Sequence, residues 1–147
     1  MNRCTSELLE SFMLDYGWVF SREGDGLWKT GFRGDDQTFP LSIIMTDNII
    51  SFVIQPFVDS EIDWDSCSEV SRLLLEFNAR IAMAKFSLSE EGRIELSLDV
   101  LNSSFSYDSF LLTMGLLGHY ADTYYDEILS DLDLINSRYS ESFNLLT

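Results

Sequence analysis

In the first half of the chain, hydrophobic residues recur first at the spacing of a helix and then at the spacing of strands. These two spacings predict the secondary-structure elements of this half. A set spaced by three and four residues predicts a first helix with one buried face: Leu8, Leu9, Phe12, Met13 and Tyr16. From Trp18 to Phe57 the period becomes two, with Gly- and Asp-containing turns between the apolar runs. This part of the chain therefore predicts an antiparallel meander.

The second half repeats the change of period. A stripe at helical spacing over 67–81 predicts a second helix. Apolar and polar side chains alternate over residues 84–88 and 94–100, on either side of Gly92. This pattern predicts a hairpin with one face exposed to solvent. A long apolar segment over 110–129 predicts a third helix. This order of elements predicts an α+β fold with helices packed against an antiparallel sheet.

The third helix is apolar over a wide arc of its circumference. Such an arc predicts contact with two surfaces, for instance the helix's own sheet and a neighbour or partner. Gly115 and Gly118 lie inside this helix, where each lowers stability by ~1 kcal/mol relative to Ala. Close approach of another element over a surface without Cβ atoms would offset that cost. The two glycines therefore predict either internal packing or a dimer seam.

The charge of the chain is strongly acidic. There are 25 Asp and Glu residues and 9 Lys and Arg, for a formal net charge of −16 at pH 7, and no Lys or Arg occurs between Ile94 and Ser137. Phosphate backbones and anionic lipid surfaces bind clustered basic residues, so nucleic acid and membrane are poor partners. A basic or mixed-charge protein segment is the better electrostatic match, although acidity also serves solubility alone.

Cysteine content and hydropathy point to the cytoplasm as the default location. Cys4 and Cys67 are too few for a disulfide scaffold and lack metal-ligand spacing. No apolar run reaches the roughly 18 residues of a spanning helix.

Residue types that perform catalysis or bind metals occur, but not in a motif. Four acidic residues alternate over 59–65 as in the opening of a calcium loop, yet Trp64 and Val70 stand where that loop needs Gly and Glu. The only histidine, His119, has no Ser or Cys nucleophile motif beside it, and a hydrolase would need a carboxylate to meet it in a cleft. We therefore predict no catalytic residue, no metal site and no cofactor.

Five aromatic residues are candidates for partner binding, because aromatic side chains are enriched at interface hot spots. They are Trp28, Phe32, Trp64, Tyr124 and Tyr125. Core packing is the alternative for each of them, because aromatic residues also dominate core burial.

Three stretches of the second half carry a family pattern: Leu73–Asn78, Ala84–Leu88 followed by Gly92, and Phe110–Ile128 with its Ala121-Asp122 pair. In these stretches the chain resembles the YbjN-like proteins, which share a fold with type III secretion chaperones, and the order of elements agrees from Thr5 to Leu132. The resemblance implies an α-β-β-β-α-β-β-α fold, often dimeric, that acts by binding polypeptide, and it implies no catalytic positions. The chain departs from this pattern in its Trp18–Phe32 hairpin and beyond Leu132.

Two functions follow as hypotheses. The first is a non-enzymatic protein-binding module, a homodimer, that binds a polypeptide segment through apolar sheet or third-helix surface, like a secretion chaperone or a YbjN-type regulator. The alternative is a small-ligand sensor with a pocket between the third helix and the sheet, and with Tyr124 and Tyr125 near its mouth.

We predict one α+β domain over residues 1–132. Residues 133–147 are predicted to form a C-terminal extension, either a short docking helix or a frayed tail.

Overall fold

The computed structural model of the chain describes residues 3–60 and 62–146, and of Trp64 and residues 139–146 it describes the backbone alone. Within these ranges it contains α1 (Ser6–Tyr16), β1 (Phe20–Gly24), β2 (Leu27–Arg33), β3 (Thr38–Met45), β4 (Ile49–Ile54), a 3-10 turn (Trp64–Ser66), α2 (Cys67–Asn78), β5 (Ala84–Leu88), β6 (Ile94–Leu101) and α3 (Tyr107–Leu146). The predicted α+β class, with helices packed on an antiparallel sheet, is confirmed.

The strands form one antiparallel sheet in the order β1-β2-β3-β4-β6-β5. The register places Trp28 beside Ile43, Ile43 beside Phe52, and Phe52 beside Leu98. These side chains therefore share one face of the sheet, as the period of two predicts. Four strands precede α2, because both strands of the hairpin between Trp18 and Phe32 join the sheet. The order implied by the resemblance has three strands before α2.

The hydrophobic core lies between that face and the helices. Side chains of all three helices join it, among them Leu9 and Met13 of α1, Leu74 and Phe77 of α2, and Phe110 of α3. Burial of such a continuous apolar cluster supplies the main stabilisation of the fold. All three helices thus cover the same face of the sheet.

The ends of α1 follow the sequence pattern. The Thr5 hydroxyl accepts a hydrogen bond from the Leu8 N–H at 3.2 Å, and Gly17 ends the helix with a φ of 92°. A positive φ is readily adopted by glycine because it has no Cβ atom, so Gly17 sets the direction in which the chain enters the sheet.

Helix α3 continues without a break from Tyr107 to Leu146, a length of about 60 Å at 1.5 Å per residue. Leu132 and Ile135 are buried, so the helix packs against the rest of the chain on both sides of residue 132. Residues 133–146 continue the same helix. The division of the chain at residue 132 stays a prediction. Despite its length, α3 lacks the hydropathy of a membrane span, and so does every other helix in the described ranges.

Candidate functional site

A groove of about 960 Å³ lies beside the N-terminal part of α3. We call it the α3 groove. Its helical side consists of these α3 residues: Asp108, Ser109, Leu111, Leu112, Thr113, Gly115, Leu116 and His119. The rest of its lining comes from Met83 in the α2–β5 loop, from the end of β6, and from the loop between β6 and α3.

Large apolar side chains of the groove are exposed to water. The exposed fraction is 73% for Met83, 64% for Leu101 and 75% for Leu112. Single exposed hydrophobic residues are common on proteins, but a contiguous apolar patch marks a site of protein or ligand contact. The α3 groove therefore has the character of a contact surface.

The sequence of α3 explains why leucines face the groove. Phe110, Met114 and Leu117 are buried against the sheet. Successive helical residues are rotated by about 100°, so Leu111 and Leu112 cannot share the buried face with Phe110. The run of three apolar residues at 110–112 thus fills the core with one side chain and exposes the other two.

The loop that carries Met83 is tied directly to α3. The Ala82 N–H donates to the Tyr120 hydroxyl at 2.9 Å, and the Ala84 N–H donates to the Ala82 carbonyl at 2.7 Å. The second bond closes a three-residue turn around Met83, whose φ is 66°. Met83 is therefore held at the groove by backbone geometry.

The loop between β6 and α3 is anchored by a buried asparagine. The side-chain amide of Asn102 donates to the carbonyls of Thr46 and Asp47, each at 2.9 Å. Ser104, two residues later, has a φ of 61°. The loop is thus pinned to the β3–β4 turn where it lines the groove.

Met83 and Ser104 are non-glycine residues in the left-handed region, and both line the α3 groove. This conformation costs about 1–2 kcal/mol for an L-residue. Strained residues of this kind cluster at functional sites, where the surrounding structure maintains them. Their presence on both loops is independent support for the groove as the functional site.

The groove has little chemistry beyond apolar contact. Its ionisable lining groups are Asp108 and His119, and eleven residues of helical rise place them about 16 Å apart along α3. That distance is too long for a shared proton, so the two do not form the acid–base pair that a hydrolase would need. In the described ranges no group of three or more His, Cys, Asp or Glu side chains could hold a metal ion. Glu61, part of the acidic segment over 59–65, lies outside the described residues.

Comparison with known proteins places this chain in a family. The family model of YbjN proteins, described as "Putative bacterial sensory transduction regulator", matches residues 5–130. The chain belongs to the YbjN family. The resemblance expected from the motifs of the second half is thereby confirmed. None of the curated proteins matches the chain.

Two solved structures share the fold of this YbjN-family chain. The crystal structure of YbjN from E. coli, described as "a putative transcription regulator", has a TM-score of 0.55 at 16% identity and covers 93% of this chain and 94% of that one. A chain of the heterodimeric ExoU-SpcU complex, from the type III secretion system of Pseudomonas aeruginosa, has a TM-score of 0.55 at 12% identity. It covers 83% of this chain and 95% of that one. At these identities the structures show a shared fold, which is the type III secretion chaperone-like fold.

Two aromatic residues predicted to bind a partner lie in the core of this YbjN-family chain. Trp28 is fully buried, and its Nε1–H donates to Glu10 Oε1 at 2.9 Å. Phe32 is also buried, and its ring lies under Gly118 of α3. Both side chains lie on the inner face of β2, where they pack in the core.

The two tyrosines lie away from the groove. Tyr124 packs edge-on against Phe77 at 5.3 Å between ring centroids, and Tyr125 packs edge-on against Phe57 at 5.6 Å. Both are half-buried on a later turn of α3, so neither lies at the mouth of the groove. The side chain of Trp64 lies outside the described residues.

The two helix glycines differ in their surroundings. Gly118 packs internally against Phe32, whereas Gly115 lines the groove with no atom within 4 Å of an added Cβ. Internal packing thus accounts for Gly118, while Gly115 is free to meet a partner.

Several groove residues do not stand out from the periodicity alone. Met83 lies between two predicted elements, and Leu101 follows Val100 where the alternation of β6 ends. The available signal was consecutive apolar residues, at 100–101 and at 110–112, because neither a strand nor a helix can bury neighbouring positions on one face.

Proposed function

We propose that this YbjN-family protein is a non-enzymatic protein-binding module that seats an apolar polypeptide segment in the α3 groove. One observation carries the proposal: the exposed side chains of Met83, Leu101 and Leu112 gather in a single groove. Apolar surface removed from water contributes about 25 cal/mol per Å², so covering these side chains favours association.

The charge of the chain favours a basic or mixed-charge segment. Lys and Arg are missing from Ile94 to Ser137, a range that includes most of α3. Asp122 and Asp126 are exposed on the turns that follow the groove. A segment with apolar residues for the groove and basic residues beside them would match both features.

The likeness to a chain of a heterodimeric complex supports the same proposal. The ExoU-SpcU assembly unites two proteins, and one of its chains has the fold described above. We extend protein binding from that fold to this chain as part of the proposal.

The volume of the groove favours a second candidate function. Pockets for small ligands measure about 300–1,000 Å³, and the α3 groove, at about 960 Å³, lies within that range. A small-ligand sensor with an apolar ligand in the groove is therefore the alternative. Exposure of its leucines favours the protein segment, because drug-sized ligands are mostly enclosed by their pockets.

Fluorescence anisotropy with designed peptides tests the proposal. We expect the wild-type protein to bind a labelled amphipathic Leu/Lys peptide more tightly than its Leu/Glu counterpart. Leu112→Asp is expected to weaken the Leu/Lys peptide at least about tenfold, because it places a charge in the contact. Leu75→Asp is the matched control, since Leu75 is 69% exposed on α2, outside the groove.

Equal weakening by Leu112→Asp and Leu75→Asp would contradict the proposal, because it would remove the groove from the contact. An apolar fluorescent dye that binds at the groove and is not displaced by the peptide would favour the sensor instead. Both measurements use the full chain.

A further inference from the structure

Strand β6 extends past the strand that lies along its outer edge. It pairs with β4 on one side as far as Leu101, whereas on the other side β5 begins only at Ala84, opposite Leu98. In the described part of the chain, residues 99–101 of β6 therefore have no strand beside them on the β5 side. We call these three residues, which span about 10 Å, the open edge.

The backbone groups that face this side belong to Asp99 and Leu101. The Asn102 N–H donates to the Asn48 carbonyl at 3.0 Å, toward β4. Backbone groups alternate in direction along a strand, so the N–H and C=O groups of Leu101 and Asp99 point the opposite way. No backbone hydrogen bond from another described residue reaches them there.

The pairing of β5 with β6 gives the same orientation. Asn78 bonds both backbone groups of Phe86 on the side of β5 that faces away from β6. The next residue, Lys85, therefore faces β6, where it lies opposite Ser97. The odd-numbered residues of β6 thus direct their backbone groups toward the β5 side, and past Leu98 no residue of β5 is there to meet them.

Met83 is the residue at which the chain leaves the line of β5. If β5 were one residue longer, Met83 would lie opposite Asp99. Its φ of 66° and the turn between Ala82 and Ala84 direct the chain toward Tyr120 of α3 instead. The left-handed conformation of Met83 thus has a structural consequence, because it leaves the open edge free.

The space beside the open edge is the α3 groove. Leu101, Ser103 and Ser104 line the groove along β6 and the loop that follows, and Met83 lines it at the start of β5. The groove therefore lies where β5 would run if it were extended past Met83. An unpaired strand edge is a template for pairing with another chain.

We infer that the polypeptide segment in the α3 groove binds in an extended conformation and adds a strand to the sheet, antiparallel to β6 and in line with β5. The inference rests on the proposed function, because it states the conformation and the pairing of the segment that the groove binds. Hydrogen bonds to the backbone of Asp99 and Leu101 supply affinity in this mode, and alternate side chains supply selectivity.

The period of a strand specifies the side chains of the partner. A side chain opposite Val100 faces inward, toward Leu112 and the open space at Gly115, and is therefore expected to be large and apolar. The neighbouring side chain faces the outer surface beside Asp99. The Asp99 side chain is 43% exposed although Lys85 lies 3.6 Å away, so its carboxylate can accept a second cation. The partner is thus an extended segment that alternates large apolar and basic residues.

Two peptides of equal composition test the conformation. Both contain Leu and Lys, one alternating at the period of a strand and the other spaced at the period of a helix. We expect the alternating peptide to bind the wild-type chain at least about tenfold more tightly in fluorescence anisotropy, because only it can pair with β6 while its leucines face the groove. Leu112→Asp should weaken its binding, whereas Leu75→Asp should not.

N-methylation along the backbone of the alternating peptide tests the pairing. Each N-methyl group removes one N–H donor and obstructs a neighbouring strand. We expect methylation to weaken binding at every second residue, where the N–H faces β6, and to have little effect at the residues between them. A helical segment would show no such alternation.

Leu101→Pro tests the same contact from the side of the protein. Proline lacks the N–H that faces the groove, and no bond to β4 is lost, so an edge position tolerates it. Leu101→Ala is the matched control, because it removes the same leucine side chain and keeps the N–H. We expect Leu101→Pro to bind the alternating peptide about fivefold more weakly than Leu101→Ala, the effect of one hydrogen bond. Circular dichroism verifies that both variants remain folded.

Hydrogen exchange measured by NMR gives a residue-level readout. The amide protons of Asp99 and Leu101 are expected to exchange more slowly when the alternating peptide is bound. Val100, which faces β4, should show little change. Protection of Asp99 and Leu101 in the free protein that grows with protein concentration would show that a second copy pairs there, and would overturn the inference.

The outcomes separate this inference from the proposed function. A helix-patterned peptide that binds more tightly than the alternating one, and is weakened by Leu112→Asp, overturns the inference and leaves the proposed function standing. Binding of the alternating peptide without protection of Asp99 and Leu101 does the same. If neither peptide binds, the proposed function fails and the inference fails with it.

Discussion

Gly118 lies directly against the ring of Phe32: a Cβ atom added to Gly118 would stand 2.9 Å from Cζ of Phe32. Gly115, one turn earlier on α3, has no atom within 4 Å of an added Cβ. We therefore predict effects of opposite sign for the same substitution. Gly115→Ala is expected to raise the free energy of unfolding by about 1 kcal/mol through helix propensity. In Gly118→Ala the same gain is outweighed by about 1–3 kcal/mol of overpacking.

Urea denaturation of both variants, each compared with the wild-type chain, measures this difference. Phe32 is buried, so its ring has little room to move away from a methyl group. Stabilisation by both substitutions would mean that α3 does not approach β2 as closely as described.

Asn78 covers the exposed edge of the sheet, and its removal is the second prediction. Its Oδ1 accepts from the Phe86 N–H at 2.7 Å, and its Nδ2 donates to the Phe86 carbonyl at 3.0 Å. β5 is an edge strand, so these backbone groups have no neighbouring strand to pair with. We expect Asn78→Ala to lower the free energy of unfolding by about 2 kcal/mol, because unpaired buried groups cost about 1–3 kcal/mol.

The same variant exposes a strand edge that can pair with other chains. Light scattering during heating should therefore show earlier aggregation for Asn78→Ala than for Asn136→Ala, a control at an exposed position of α3. Equal aggregation of the two variants would show that Asn78 does not protect the edge.

Hydrophobic period was sufficient to locate the helices and strands, because each element buries one face. The buried stripe of α1 around Leu9 and the alternation of β6 around Leu96 both depend on local sequence alone. Leu8, which the period assigned to the buried face of α1, is exposed. The start of α2 was less predictable. The spacing of Ser66 and Glu69 is typical of a capping box, yet the Ser66 side chain makes no cap bond and donates instead to the Asp63 carbonyl at 3.1 Å.

The candidate site depended on contacts between distant segments, which periodicity does not report. The loop that carries Met83 is held at α3 by a hydrogen bond between Ala82 and Tyr120, 38 residues apart. The wide apolar arc of α3 did indicate an exposed apolar surface, and Leu112 provides it. The burial of Trp28 required its pairing with β3, which places it on the inner face. The cytoplasmic location stays a prediction.

Glu95 gives the third prediction, a dependence of stability on pH. Burial, with repulsion from Glu91 as the second cause, raises the pKa of the Glu95 carboxyl. The native state then binds this proton more tightly than the unfolded state does. The free energy of unfolding therefore falls as pH rises from the ordinary glutamate pKa through the raised one, and the full destabilisation is present above both.

Glu95→Gln removes the charge that burial disfavours. We expect a higher Tm than wild type at pH 7 and no difference at about pH 3.5, where the carboxyl is protonated in both states. Glu90→Gln, at an exposed position of the same hairpin, is the control for a general change in net charge. A gain at pH 7 that is equal in both variants would assign the effect to net charge instead of to burial.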